Sequence, residues 1–476
     1  MMQTNALYYG DCLDWMKRWD DEIIDLVYAD PPFNSNANYN ILFSDRNNGS
    51  AQYRAFQDTW IWDEAAVERL TAYQNAPGRL AHDAIVGLHR ILGACGMLAY
   101  LTYMAERLEH TYRLLKKTGS LYLHCDPTAS HYLKILLDGI FGKKGGGRAF
   151  RNEIIWGYPA SPSAARRDFP RKHDIILRYV KSSQWTFNAD QVRIPYADSS
   201  LERVKYPANA SKVMSGTDIL LHKKGKIPPT PWLDIQQTYR YRNESLSYPT
   251  QKPLALMNRI IKASSNEEDV VLDPFCGCGT TVEAAKNLNR QFVGIDISSF
   301  AIDLIRNRRL KDKSIPVYGI PMDLPSAAKL AREDPFSFES WAVTRLPGFA
   351  PNTRQVADGG VDGRASIAHQ PDDWDTRLAL AQVKGGRFSL SGLRDFTGVI
   401  NRDRAALGCF ITLNPVQTPA AGAETANMGK ISVEGYRFPR MQIWPISHYF
   451  DSRPPRLPIM NDPYTGKPLN QADLFA

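Results

Sequence analysis

The sequence predicts an α/β protein in which an open, largely parallel sheet flanked by helices is followed by a second α/β unit. Three observations carry this. Short apolar runs of strand length alternate with stretches of helical period. Two of those runs, Leu26-Val27-Tyr28-Ala29 and Val270-Val271-Leu272, end abruptly in an acid at the head of a special turn. A proline-punctuated stretch from 311 to 335, holding Pro316, Pro321, Pro325 and Pro335, then separates a second set of elements.

Taken in order, Ala6 to Tyr9 is a short strand, and Gly10-Asp11 opens an amphipathic helix through Leu13, Trp15, Met16 and Trp19. The strand ending at Ala29 follows. Residues 34 to 62, rich in Asn, Ser, Asp and aromatics, read as a long loop over the strand ends, a place where long loops are often functional. Apolar residues recur at helical spacing from Arg79 to Lys117, broken near Gly93 and Gly96. Gly119 to Asp126 reads as a buried strand, with a helix to Phe141 and strands at Asn152–Trp156 and Ile175–Val180. Between Ser182 and Tyr248 the pattern dissolves into Pro, Tyr, Lys and Arg, and an inserted segment is expected there. Regularity returns with a helix from Pro253 to Ala263, a strand at Val270–Leu272, a helix Thr280 to Leu288, a strand Phe292–Ile295 and a helix Phe300 to Arg309.

At 476 residues the chain is long enough for two or three domains, and 43% hydrophobic with 23% charged residues is the balance of a soluble globular protein. The start, Met1-Met2-Gln3-Thr4-Asn5, lacks a basic-then-apolar pattern, and no apolar run is long enough to span a bilayer, so a cytoplasmic protein without membrane contact is expected. The six cysteines are scattered, which points to reduced thiols; Cys276 and Cys278 lack the second pair or histidines that a zinc site needs. Residues 143 to 262 hold 22 Lys and Arg against 9 Asp and Glu, a net of +13 that leaves −5 for the rest of the chain. Such a segment, interleaved with Tyr, Trp and Pro, suits a polyanion, with nucleic acid expected; the bland alternative is a solvated basic face.

Asp30-Pro31-Pro32-Phe33 is, by itself, good turn chemistry. It is also a stiff display of a carboxylate, backbone carbonyls and an aromatic ring, because each proline fixes its own φ and restricts the residue before it. The second acid-ended turn, Asp273-Pro-Phe275-Cys-Gly277-Cys-Gly279-Thr280-Thr281, has the form with which a sheet holds a nucleotide-like ligand. Glycines let the backbone approach, Thr280 or Thr281 can cap the helix, and the acid can accept from a cationic or hydroxyl-bearing ligand. The next strand ends in Asp296, where an acid can take both hydroxyls of a ribose. A lone Gly-rich turn is weak evidence, but two acids at successive strand ends strengthen it.

Asp30 to Phe33, followed far downstream by Tyr248-Pro-Thr-Gln-Lys252-Pro and by Asp273 to Thr281, resembles the S-adenosylmethionine-dependent DNA amino-methyltransferases, in the order with the catalytic motif first. Gly10-Asp11, Gly119-Ser-Leu-Tyr-Leu-His-Cys-Asp126, Asn152-Glu-Ile-Ile-Trp-Gly-Tyr158 and Lys172-His-Asp174 sit as in that family, and the likeness covers roughly residues 5 to 310. The resemblance implies a Rossmann-like methyltransferase sheet over residues 1–312, with 182–248 as target-recognition segment. It implies that Asp273, Phe275, Gly277, Gly279, Thr280 and Thr281 surround S-adenosylmethionine, that Asp296 holds its ribose hydroxyls and Asp11 its adenine amino group, and that Lys252 lies near its methionine carboxylate. Asp30 and the Pro31 carbonyl would accept from the exocyclic amine of a base flipped out of duplex DNA, Pro32 would stiffen the loop, and Phe33 would stack on the base. Phe after the prolines and Asp before them resembles adenine-N6 more than cytosine-N4 enzymes; both amines stay open, as does a DNA-binding regulator without catalysis.

Beyond a linker at 313–335, a domain over 336–476 is expected, with helices at Phe336–Arg345 and Leu390–Arg404 and strands near Gly360–Ile367, Leu378–Val383 and Cys409–Leu413. Glu339, Asp362, Gln382 and Lys384 are spaced as an acid on a helix, an acid in a Gly-rich turn, and a polar-x-Lys strand end. Such a set can hold a divalent ion and activate water, with Asp362, Gln382 and the Val383 carbonyl as ligands and Lys384 on the attacking water. This looks like the Mrr-type branch of the PD-(D/E)xK nucleases over about residues 330 to 450, which implies Mg²⁺ and a restriction-modification role; Gln382 stands where the second acid is usual, so a nuclease-like fold that only binds DNA stays open. The expected partner is double-stranded DNA, with a homodimer left open.

Overall fold

The computed structural model describes residues 1–32, 38–43, 51–57, 60–145, 149–158, 167, 169–204, 221–238, 244–246, 251–352, 360–416, 418–461 and 468–469. The chain opens with β1 (Ala6–Tyr9) and α1 (Cys12–Lys17), followed by β2 (Ile24–Ala29), all six residues of which are buried. Residues expected as a loop contain a hairpin, β3 (Asn38–Phe43) against antiparallel β4 (Ala51–Gln57). Three helices follow, α2 (Glu64–Gln74), α3 (His82–Leu92) and α4 (Gly96–Leu114), the break between the last two falling at Gly93 with φ +66°. Then come β5 (Leu115–Cys125), α5 (Pro127–Gly145), β6 (Phe150–Gly157) and β7 (His173–Val180). The inserted stretch contributes α6 (Asp198–Val204) and the two-residue β8 (Pro231–Trp232). The returning pattern forms α7 (Leu254–Ser264), β9 (Val270–Asp273), α8 (Thr280–Asn287), β10 (Gln291–Asp296), α9 (Ser299–Leu304) with a π-helical turn Ile305–Arg309, and β11 (Val317–Tyr318).

These strands build one nine-stranded sheet in the order β11-β1-β10-β9-β2-β5-β7-β6-β8. Every pairing from β11 to β5 is parallel, as expected. Strand β7 departs from the expectation and runs against both β5 and β6. β6 and β7 are consecutive and pair directly, which antiparallel strands can do without a crossover helix. Period-2 alternation gives the sheet two apolar faces. Val27, Ala29, Leu121 and Leu123 pack with Met16, Leu88, Met104 and Leu133, and Leu26, Tyr28, Tyr122 and Val271 pack with Met257, Ile260, Ala285 and Ile302 on the other side. The result is three layers with the sheet in the middle.

The stretch expected as linker is structured. Val317 and Tyr318 pair with Leu7 and Tyr8 of β1, and α10 (Leu324–Glu333) is closed by a capping box between Asp323 and Ser326. Pro325 lies in its first turn, where a missing N–H costs nothing, so proline there was a start signal, not a breaker. Ala327 of α10 belongs to the core of the second unit. That unit continues through α11 (Pro335–Thr344), β12 (Ala350–Pro351), β13 (Gly363–Ser366), β14 (Leu378–Lys384), α12 (Leu390–Arg402), β15 (Leu407–Thr412), α13 (Pro419–Asn427), the hairpin β16 (Lys430–Val433) and β17 (Tyr436–Pro439), β18 (Met441–Pro445) and α14 (Ser447–Phe450). Its sheet runs β12-β13-β14-β15-β18, parallel from β14 to β18 and antiparallel before. The two units touch where the Tyr9 hydroxyl donates to the Ser337 carbonyl at 3.4 Å and where the Arg345 guanidinium pairs with Asp303 of α9. Among the described residues no helix is long and apolar enough to cross a membrane.

Candidate active site

Four neighbouring parallel strands end together. In register, Tyr9 lies beside Asp296, Gly294 beside Asp273, and Leu272 beside Val27, so the C-terminal edges of β1, β10, β9 and β2 bring Asp11, Asp296, Asp273 and Asp30 to one rim. Crevices outside such edges are where open parallel sheets bind ligands. Here the crevice encloses about 1000 Å³, including solvent at its mouth, and is lined by these four acids with Pro31, Pro32, Lys252, Phe275, Gly277, Thr280 and Thr281. The two motifs, more than two hundred positions apart, therefore share one cleft.

Each acid is held differently. Asp11 Oδ1 accepts from Leu13 N at 2.8 Å, which caps α1, and Oδ2 pairs with buried Arg107 at 2.5 Å. Asp273 Oδ1 accepts from Phe275 N at 3.1 Å. Burial pushes the Asp273 carboxyl up to about 7, opposed by hydrogen bonds from Thr281 and Phe275 and helped by the charges of Asp30 and Asp296. Asp296 accepts from Gly277 N and Ser298 N, both at 2.8 Å; burial still raises it to about 6. Asp30 Oδ2 accepts from Lys252 Nζ at 2.7 Å, whereas Asp30 Oδ1 is buried and has no hydrogen-bond partner among the described residues. Acids outnumber the bases on this rim, so the cleft favours a cation.

The Gly-rich turn differs from expectation in its cap. Gly279, with φ +78°, is the N-cap of α8, and no side chain caps the helix. A Cβ there would stand 2.6 Å from Ile305 Cγ1, so glycine is needed for both conformation and space. Thr280 and Thr281 are buried in the first turn. Lys252 lines the cleft with its Nζ on Asp30. Phe33 and residues 205–220, 239–243 and 247–248 of the 182–248 segment, Tyr248 among them, lie outside the described residues; the described part of that segment exposes Lys223 and Lys224 and joins Ile194 to Lys226 by a backbone bridge. The cysteines are free, and among the described residues no group of three His, Cys, Asp or Glu could hold a metal.

Sequence reasoning missed a polar chain beneath Asp30. The Tyr28 hydroxyl bonds His124 Nδ1 at 2.8 Å, His124 Nε2 bonds Asp174 Oδ2 at 3.0 Å, and the Tyr158 hydroxyl donates to Asp174 Oδ1 at 3.1 Å. Burial acts to raise Asp174, but His124, with Lys252 and Tyr158, brings it below the ordinary carboxylate value. The signal was present in three of the supporting motifs, where strand alternation puts His124 on the same face as Tyr122, and a buried imidazole needs partners.

The comparisons with known proteins bear on this geometry. A family profile described as DNA methylase, of the N6/N4 type, matches residues 24–307, more than half of the chain and all of the strand ends above except β1. The chain belongs to the N6/N4 DNA methylase family. It is similar to the type II methyltransferase M.HpaI of Haemophilus parainfluenzae, 33% identical over 209 residues, covering 44% of this chain and 59% of that protein. Similarity also extends to the DNA adenine methyltransferase YhdJ of Escherichia coli, 25% identical over 62% of this chain and 80% of that protein. A third relative is the type II methyltransferase M1.MboII of Moraxella bovis, 25% identical over 63% of this chain and 94% of that protein. Against the first of these the chain spans less than two thirds of the relative's length. In family terms, the matched region carries both the Asp30 loop and the Gly-rich turn, and it ends inside the π-helical turn before β11.

Proposed function

We propose that residues 1–312 transfer a methyl group from S-adenosylmethionine to the N6 amine of adenine in duplex DNA. The observation that carries this is the convergence of four carboxylates on one cleft, one of them presenting a buried oxygen with no hydrogen-bond partner among the described residues. The cleft fits the donor: acids Asp273 and Asp30 suit a sulfonium, Asp296 a ribose diol, and Phe275 offers an apolar wall. S-adenosylmethionine supplies an activated methyl whose leaving sulfur takes the bond's electron pair and ends neutral.

An exocyclic base amine is a poor nucleophile because its lone pair is delocalised into the ring. Asp30 and the Pro31 carbonyl accept its two N–H bonds, which favours a pyramidal nitrogen with an available lone pair. Asp30 thus acts as an acceptor that orients the amine, and the proton displaced on methylation leaves through it to water. In-line approach to the methyl does the rest. Pro32 stiffens the loop, Phe33 stacks on the flipped base, and the basic segment 182–248 engages the duplex. The relative named as an adenine methyltransferase supports the choice of amine. Duplex DNA with labelled S-adenosylmethionine should gain N6-methyladenine, and the Asp30→Ala protein should transfer nothing; label only in N4-methylcytosine would overturn the base assignment.

The unit from about 336 to 476 we take as an Mrr-type nuclease domain. Asp362 immediately precedes β13, whose Gly363 pairs with Ala381 next to Gln382 of β14; Asp362 Oδ2 accepts from Val383 N at 2.7 Å, and Gln382 Oε1 is buried without a hydrogen-bond partner among the described residues. That orphaned oxygen beside a carboxylate suits Mg²⁺, with Lys384 two residues on along the same face and Glu339 on the helix packed against this sheet. Plasmid DNA should be cut with Mg²⁺ by the wild type and left intact by Lys384→Ala; no cutting by either would leave a DNA-binding role.

A further inference from the structure

Lys252 stands where the inserted segment ends and α7 begins, and the turn that carries it is clasped on both sides. The Thr238 hydroxyl donates to the Gln251 carbonyl at 2.6 Å. The Gln251 side chain accepts from Leu246 N at 2.9 Å and donates to the Glu244 carbonyl at 2.8 Å. Leu254 N donates to the Glu244 carboxylate at 2.9 Å. From this base the Lys252 side chain, 8% exposed, reaches Asp30, 16% exposed, and takes one of its two oxygens at 2.7 Å.

The consequence is a division of labour within one carboxylate. An ammonium on Oδ2 sets the rotation of the Asp30 carboxylate and leaves Oδ1 as the oxygen with open acceptor capacity, buried and facing no described donor. We infer that Lys252 is a positioning residue for methyl transfer, holding Asp30 by Oδ2 so that Oδ1 meets the target amine, in place of the cofactor-carboxylate role that the motif resemblance implies. The inference rests on the methyltransferase reading. It is also economical with binding energy: a lysine spent on Asp30 sharpens the acceptor for the amine, whereas one spent on the donor's carboxylate tightens donor binding alone.

The two roles separate by measurement on the full chain. Donor affinity is read by calorimetric titration with S-adenosylmethionine in the absence of DNA, and chemistry by single-turnover methyl transfer with donor and duplex saturating. For Lys252→Met we expect donor affinity within about threefold of wild type and a transfer rate lower by about a hundredfold, the scale of removing one preorganised group at a reacting centre. Lys252→Arg, which can still place an N–H on Oδ2, should recover part of the rate, and retained donor binding reports that each variant is folded. Donor affinity weakened more than about tenfold, with a near-normal rate once donor saturates, would overturn the inference and return Lys252 to the cofactor. Equal rates in Lys252→Met and wild type would overturn it as well. A wild-type protein that binds no S-adenosylmethionine and methylates nothing would instead bring down the methyltransferase reading, and the inference with it.

Discussion

Donor binding should release protons, and its pH dependence can be worked from the two buried acids of the Gly-rich turn. Burial raises Asp273 to about 7 and Asp296 to about 6 in the ligand-free protein. A sulfonium beside Asp273 favours the carboxylate, and ribose hydroxyls donating to Asp296 do the same, so affinity rises with pH as each acid ionises. Between pH 6 and pH 8 the ionised fraction of Asp273 goes from about one tenth to about nine tenths, which lowers the dissociation constant about tenfold; Asp296 adds about twofold. S-adenosylmethionine should therefore bind about twentyfold more tightly at pH 8 than at pH 6, whereas S-adenosylhomocysteine, which lacks the positive sulfur, should change only about twofold. Titration calorimetry at pH 6, 7 and 8, in buffers of different ionisation enthalpy, reads both the affinity and the proton count. Asp273→Asn should erase the tenfold part and keep the twofold one. The same raised acids contribute stability that is present at acid pH and lost as pH rises toward 7, so Asp273→Asn should stabilise the ligand-free protein more at pH 8 than at pH 5. A flat affinity for S-adenosylmethionine, or equal slopes for both ligands, would refute the reasoning.

Three further outcomes follow from packing and polar contacts. His124→Ala opens a cavity under β2 and strands the Tyr28 hydroxyl and Asp174 Oδ2, at a cost of about 3 kcal/mol in urea unfolding; a loss below about 1 kcal/mol would count against the buried chain. Gly279→Ala forces a left-handed alanine against Ile305 and should cost about 2–4 kcal/mol while weakening donor binding, read by thermal melts with and without S-adenosylmethionine. Arg345→Ala leaves Asp303 without its guanidinium at the contact between the two units, and should cost about 2 kcal/mol and speed proteolysis between 310 and 335.

Much of the scaffold was legible because its signals are local. Short apolar runs found β1, β2, β9 and β10 to within two residues, and the acids ending or following β2, β9 and β10 marked the rim of the sheet. The hairpin formed by β3 and β4 escaped because its strands carry Asn, Gln and Arg and the stretch between and around them is rich in Asn, Ser and Asp, which read as loop. The helix at 324–333 escaped because a proline that starts a helix and a proline that breaks one look alike until the cap is seen. In the second unit β18 and the hairpin before it were missed, being short and flanked by charge.

By itself the sequence determined which residue types stand at which strand ends, and the resemblance of Asp30 to Phe33 and of the Gly-rich turn ending in Thr280-Thr281 to one family is what tied the two together. Only the tertiary structure decided who pairs with whom. It put Lys252 on Asp30 at 2.7 Å, Arg107 on Asp11 at 2.5 Å and His124 between Tyr28 and Asp174. These partners come from separate elements, brought within a few ångströms by sheet order and helix packing. Charge pairing depends on that distance and on burial, neither of which spacing along a chain encodes.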